Sequence, residues 1–178
     1  FGSVTAAPVG LPGHAAMERR LLDLINGERS AQGIKPLIWD RALALLARDH
    51  AADMRSAGKI SHHSTVGGGD FTFRLSHTNY RASAAAENVA LDIDVEKAHR
   101  GLMASPGHRA NILNKGLAAA GIGILADDKG SLYVVEDFAT PIVSLTDGEA
   151  QDRIIAQVDA ARLRSGGKPL SQDSRLSR

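Results

Sequence analysis

At 178 residues, with 43% hydrophobic and 23% charged side chains, the chain has the make-up of one well-buried globular domain with an appendage. A net charge of +1 and an aromatic content of 4% give no electrostatic or stacking case for nucleic acid, and no apolar run approaches the roughly 20 residues that span a bilayer. There is no cysteine, so disulfides and thiolate chemistry are excluded and any zinc site must use His and carboxylate.

The opening Phe1 to Gly10 lacks a charged n-region and an initiator Met, and reads as the mature end of an exported chain. Residues 1–13, small and rich in Pro and Gly, are expected to be a flexible N-terminal segment. From Ala15 to Gln32 the apolar positions Met17, Leu21, Leu22, Leu24 and Ile25 recur at helical spacing, with Gly33 as the stop. Gly33 to Trp39 is a short extended connection, since Pro36 argues against helix. Asp40 caps a second helix running to about Ala57 and closed by Gly58. Its buried stripe takes Leu43, Leu46, Ala47 and Met54, and His50 packs at the edge of that stripe.

Ile60 to Asp70, with three consecutive glycines, is a loop. Phe71 to Leu75 makes a short helix, and Ala84 to Ala90 an extended segment. Asp94 caps a helix from Val95 to about Ala104. That helix passes into Ser105-Pro106-Gly107-His108-Arg109-Ala110-Asn111-Ile112-Leu113-Asn114. Here Ser105 is the expected N-cap, its hydroxyl accepting from a free amide, and Pro106 takes the first helical position. His108 falls in the first turn with Asn111 on the same face. The positive end of the helix dipole disfavours an imidazolium there, and a neutral imidazole suits metal binding or hydrogen bonding.

Two alternating runs, Ala119 to Ala126 and Ser131 to Ala139, flank Asp127-Asp128-Lys129-Gly130 and read as a hairpin. Gly121 and Gly123 mark a place where another backbone or side chain comes close. Helices first, then an antiparallel sheet with more helix around it, make the class α+β.

The C-terminus carries a partial repeat. At one constant offset Arg29, Gly33, Lys35, Pro36, Leu37, Asp40 and Leu43 meet Arg162, Gly166, Lys168, Pro169, Leu170, Asp173 and Leu176, while Leu21, Leu22 and Ile25 meet Ile154, Ile155 and Val158. The expected organisation is a flexible segment over 1–13, a domain over 14–140, and a C-terminal helix and tail over 141–178 that starts a degenerate second repeat. The tail by itself buries only one helix face, so mobility is expected from Ser165 onward.

The order of the motifs is informative in itself. Asn26-Gly27-Glu28-Arg29 with Gly33 and Leu37, Trp39-Asp40, Ser61-His62, Glu87-Asn88-Val89-Ala90, the Ser105 to Leu113 stretch and a hairpin ending in Phe138 follow one another. This resembles the bacterial branch of the CAP superfamily (cysteine-rich secretory proteins, antigen 5 and pathogenesis-related class 1 proteins), also called the SCP domain, from Met17 to Thr140. The resemblance implies an α-β-α sandwich, a small antiparallel sheet between helical layers with a central cleft, here with a C-terminal helical extension. It also implies that two histidines and two acidic residues line the cleft. The first histidine carries to His62, one glutamate to Glu87, and His108 is the histidine of the bacterial helix motif. The second family glutamate has no match, Ser105 standing near its place. The last-strand histidine is missing, with Tyr133 nearby, and Glu136 stands where many relatives have Gln.

The resemblance thus implies a cleft or ligand-binding set of His62, Glu87, His108, Ser105 and Glu136. Among them His62, His108 and Glu87 are three candidate ligands for zinc or another divalent cation; a polar cluster held by hydrogen bonds is the alternative. His63, His77 and His99 are expected at the surface, and Asn88 and Asn111 in backbone-fixing roles. The first functional reading is a secreted, periplasmic or envelope-associated binding module rather than an enzyme. Its partner would be a small-molecule, lipid or cell-envelope ligand, and small residues such as Ala118 to Ala120 would permit an apolar groove. The second is a hydrolase in which His and Glu activate water, directly or through a metal, with Ser61, Ser64 and Ser105 as candidate nucleophiles. Neither a Gly-x-Ser-x-Gly turn nor a His-Glu-x-x-His helix is present. The third is a structural spacer in a larger exported protein.

Overall fold

The computed structural model describes residues 12–142 and 147–170. They fall into two units, divided between Ile142 and Val143. The first holds α1 (Pro12–Ala31), β1 (Ile38–Trp39), α2 (Arg41–Ala57), α3 (Phe71–Ser76), β2 (Ala82–Asp92), α4 (Val95–Ala104), α5 (Pro106–Ile112), β3 (Ala119–Ala126) and β4 (Leu132–Pro141); α6 (Asp147–Arg164) belongs to the second. The expected lead-in over 1–13 lies outside the described residues up to residue 11. Pro12 and Gly13 belong to α1, with Pro in the first turn, where its missing N–H costs nothing.

Local rules account for most boundaries. Asp40 accepts from the Ala42 and Leu43 amides and Asp94 from that of Lys97, so α2 and α4 start at side-chain caps. Asp70 does the same for α3 through Phe73. Ser105 differs from expectation. It has cap-like backbone angles but makes no side-chain cap hydrogen bond; its own N–H closes α4 on Gly101 and Leu102 while its carbonyl accepts from Arg109. It is a backbone joint between two helices.

The strands form one sheet in the order β1-β3-β4-β2. β3 and β4 form the expected antiparallel hairpin and β2 adds antiparallel to β4, whereas β1 lies parallel to β3, so the sheet is mixed. One face of the sheet packs Ala120, Ile122, Ile124, Val134 and Phe138 against Leu21, Leu22 and Ile25 of α1, Val95 and Leu102 of α4, and Ile112 of α5. The other face sets Leu125, Tyr133, Val135 and Val89 against Ala47, Ala51 and Met54 of α2. This is an α-β-α sandwich.

The two central strands are buried on both faces, so the alternation in β3 is one of size rather than polarity. A Cβ on Gly121 would lie 2.0 Å from the Ala44 nitrogen, and one on Gly123 2.3 Å from the Ala47 carbonyl carbon. Glycine therefore lets the α2 backbone rest on the strand while isoleucines fill the opposite layer. Ala119 and Ala120 are 5% and 0% exposed, and serve sheet packing instead of lining an open groove.

Arg29 joins α1 to the sheet. It is 1% exposed, and donates from Nε to Lys35 O, from Nη1 to Ile112 O and Asn114 O, and from Nη2 to Leu117 O. The guanidinium thus satisfies the carbonyls that end α5 and lead into β3. In the second unit α6 is a helix without a buried residue.

Candidate functional site

The site begins on α2. His50 is 1% exposed and donates from Nε2 to the Ser61 carbonyl at 2.7 Å. Burial, then the nearby Arg74 charge, pushes its pKa down, which keeps the ring neutral. One turn on, Asp53 accepts from Ser64 Oγ and the Thr65 amide at 2.8 and 2.7 Å, and from the Thr65 hydroxyl. Hence His50 and Asp53, three apart on one helix face, hold both ends of the loop that carries His62. His50 is an anchor for that loop rather than only a packed ring.

His62 is half-exposed and donates from Nδ1 to Glu87 Oε1 at 2.9 Å. Glu87, on β2, has its side chain 3% exposed, and its other oxygen accepts from Arg74 Nη2. Arg74 also donates from Nη1 to the His62 carbonyl at 2.9 Å, binding α3, loop and strand together. Across the ladder Glu87 pairs with Asp137, which is 0% exposed. Burial, then the Glu87 charge, pushes the Asp137 carboxyl well above its ordinary range. Arg74, Glu87 and the buried Asp137 therefore share this corner.

His108 enters from α5. Its ring centroid lies 6.4 Å from that of His62 with a 41° tilt. Burial, then the His62 charge, lowers its pKa, which favours a neutral ring. The backbone that presents it is fixed by Asn88, which donates to the His108 carbonyl at 3.2 Å and to Glu136 Oε2 at 2.8 Å. Asn88 Oδ1 accepts in turn from Asn111 at 2.9 Å, and Asn111 Nδ2 also donates to the Glu87 carbonyl at 3.3 Å.

His62, Glu87 and His108, distant along the chain, thus meet at the open edge of β2. Glu136 does not join them. Strand alternation sends it to the α5 face, where it binds Asn88, while Asp137 points toward Glu87. Ser105 contributes backbone bonds only. Glu87 accepts from His62 and Arg74, and among the described residues no group of three or more His, Asp or Glu is placed to hold a metal ion. Arg74 supplies the positive charge that a cation would bring.

Sequence reasoning passed over Arg74 and Asp137. Two adjacent carboxyls inside the apolar run Tyr133 to Ala139 were the available signal for the latter, since alternation must put one on each face. His99, expected at the surface, is 5% exposed on α4, with Nε2 at 3.8 Å from Glu28. His63 and His77 are exposed. Beside the cluster, a groove of about 950 Å3 opens between α2, the loop and α3, lined in part by Leu46, Ala52, Val66 and Phe73. His50 and Arg74 line it too, and both reach toward Glu87.

The fold and the site can be set beside known proteins. The chain is 33% identical over 133 residues to the uncharacterized protein YkwD of Bacillus subtilis, an overlap of 74% of this chain and 49% of that one. An extracellular protein containing a SCP domain from Bacillus anthracis superposes with a TM-score of 0.65 at 27% identity, over 79% of this chain and 45% of that one. An outer surface protein from Borrelia burgdorferi shares the fold, with a TM-score of 0.64 at 19% identity over 71% of this chain and 94% of that one. The chain spans about half the length of these two Bacillus relatives. The sequence profile of the cysteine-rich secretory protein family matches residues 22–138, through both central strands and every element that carries the cluster, and the chain belongs to that family, CAP.

Proposed function

We propose that the domain is a non-enzymatic binding module of the extracellular or envelope space, whose cleft offers the imidazoles of His62 and His108 to a polar group of an envelope ligand. The observation that carries this reading is the state of Glu87. Its two oxygens are engaged by His62 and Arg74, so it acts to orient a histidine instead of taking a proton or a metal. With Nδ1 of His62 committed to Glu87, Nε2 is the ring nitrogen left for a ligand. The apolar groove next to Arg74 adds a surface for a ligand of mixed polarity. Descriptions of the Bacillus anthracis and Borrelia relatives as extracellular and outer surface proteins support the location.

A hydrolase is the second reading, because the His62–Glu87 pair is the arrangement that orients a general base. Against it, Ser61 Oγ accepts from the His63 amide and Ser64 Oγ is bound to Asp53 and Val66. Neither hydroxyl is turned toward an imidazole.

Histidine-ring NMR of the full chain during titration with soluble peptidoglycan fragments separates the two. Binding predicts saturable shifts of His62 and His108, unchanged fragments at the end, and an affinity at least about tenfold weaker in His62→Ala, a change of ~1.4 kcal/mol. Cleaved fragments would establish the hydrolase, and unmoved resonances would remove this ligand class.

A further inference from the structure

We infer that residues 147–170 are the opening helix and loop of a second CAP core, and that the apolar face of α6 is built to seat on that core as α1 seats on the first. The partner of this face is therefore another copy of the fold, following in the same polypeptide.

The inference rests on side-chain and backbone bonds that recur at the ends of the two helices. After α1, Gln32 and Ile34 donate to the Arg29 carbonyl at 3.0 and 2.9 Å and Gly33 donates to that of Ser30 at 3.0 Å. After α6, Ser165 and Gly167 donate to the Arg162 carbonyl at 3.0 and 2.7 Å and Gly166 donates to that of Leu163 at 3.1 Å. Gly33 and Gly166 share a left-handed φ, 66° and 75°. Many helices end at such a glycine, so these bonds alone would not single out a repeat.

Two further bonds are not part of a general helix end. Arg29 Nε donates to Lys35 O at 2.9 Å, and Arg162 Nε to Lys168 O at 2.7 Å. The Leu37 amide donates to Asn26 Oδ1 at 2.7 Å, and the Leu170 amide to Asp159 Oδ1 at 2.6 Å. Each pair stands at the same offset, and so do the apolar positions Leu21, Leu22 and Ile25 with Ile154, Ile155 and Val158.

In the first unit this design has a purpose that the second leaves open. Leu21, Ile25 and Leu37 are 0%, 0% and 3% exposed against α4, α5 and the sheet, and Arg29 goes on to cap the Ile112, Asn114 and Leu117 carbonyls. Their counterparts Ile154, Val158 and Leu170 are 61%, 38% and 49% exposed, and Arg162 is exposed. With no buried residue, α6 lacks the tertiary packing from which most helical stability in proteins comes. The sequence match also continues past the loop. Asp173 and Leu176 stand, in sequence, at the positions of Asp40, which caps α2, and of buried Leu43.

The test exchanges one segment for the other in the full chain. Residues 152–170 replace residues 19–37, leaving Met17, Glu18 and Trp39 in place. The expected result is a single cooperative thermal transition by circular dichroism and Trp39 fluorescence, with a midpoint lowered by about 10–20 °C because polar Gln157 and small Gly167 take the places of Leu24 and Ile34. Arg162→Met within the transplanted segment should abolish that transition. If the exchanged chain melts without cooperativity, as a control with the same residues in scrambled order would, the inference fails. It also fails if Arg162→Met changes nothing. Sedimentation of the unmodified chain covers the remaining alternative. Because α1 already fills this chain's own seat, a monomer is expected, and a dimer dissolved by Ile154→Asp would overturn the tandem core in favour of exchange between copies.

Discussion

Glu136 and Asp137 are neighbours on β4, both 0% exposed, and they serve opposite faces of one sheet. Glu136 faces α5, accepts from Asn88, and forms part of a closed chain of amides that fixes the turn carrying His108. Asp137 faces Glu87, which binds Arg74 and the half-exposed His62. Burial is equal, so burial does not separate a structural strut from a functional corner. The difference lies in what covers each acid. A packed helix seals the first, whereas a loop tethered by His50 and Asp53 covers the second and leaves an imidazole facing solvent.

The comparison can be broken most forcefully at Arg74. It is the cation that two carboxyls share, and Arg74→Met leaves buried Glu87 without it. A loss of about 3–5 kcal/mol in urea unfolding is expected, and a loss under 1 kcal/mol would show that the corner is wetter than its burial implies.

The pH dependence sharpens the other side. Burial pushes the Glu136 carboxyl up from 4.5 to about 7, with the Asn88 hydrogen bond opposing. Its folded-state pKa lies above the unfolded one, so the folded chain holds a proton that the unfolded chain has released. Stability from this group is complete below pH 4.5 and declines as pH rises toward 7. Glu136→Gln, which keeps an acceptor for Asn88, should flatten that decline in unfolding curves taken across the window; an unchanged slope would assign the decline elsewhere.

Asn88→Ala removes the amide that bridges His108 and Glu136, and about 2 kcal/mol is expected for the acceptors left unpaired. In that variant the His108 ring resonance should broaden while that of His62, held from the other face, stays sharp. The smallest effect belongs to Ser105→Ala. With no side-chain cap bond to lose, it should cost under about 0.5 kcal/mol, against about 1 kcal/mol for Asp40→Ala, which does cap.

Local chemistry explains what was legible in the sequence. Asp40 and Asp94 announce helix starts because a carboxylate next to free amides is a short-range effect, and the Gly121/Gly123 spacing announces a close approach because nothing larger fits. β1 was hidden: its two residues pair with β3 far along the chain, and Pro36 disguises it as plain linker. For the site, the resemblance brought His62, Glu87 and His108 forward, while Glu136 and Ser105 were placed by motif proximity, which cannot know strand facing or backbone satisfaction. Arg74 escaped notice since a lone arginine after a capped turn looks like surface charge. His99 did so because its side of α4 meets α1 only in three dimensions. The partners of Glu87 were hidden for a related reason. The resemblance implies which carboxylate is near two imidazoles but not that its oxygens accept from His62 and Arg74.

The central claim is that His62 and His108, carried by unrelated elements, share one cleft and feel each other's charge. Its most direct test is the titration of the His108 ring by NMR in the intact chain and in His62→Ala. The account predicts a His108 midpoint below the ordinary histidine value, from burial and from the His62 charge, and a rise toward that value when His62 is removed. A His108 midpoint at the ordinary value that ignores the His62 substitution would place the two rings in separate environments and contradict the cleft.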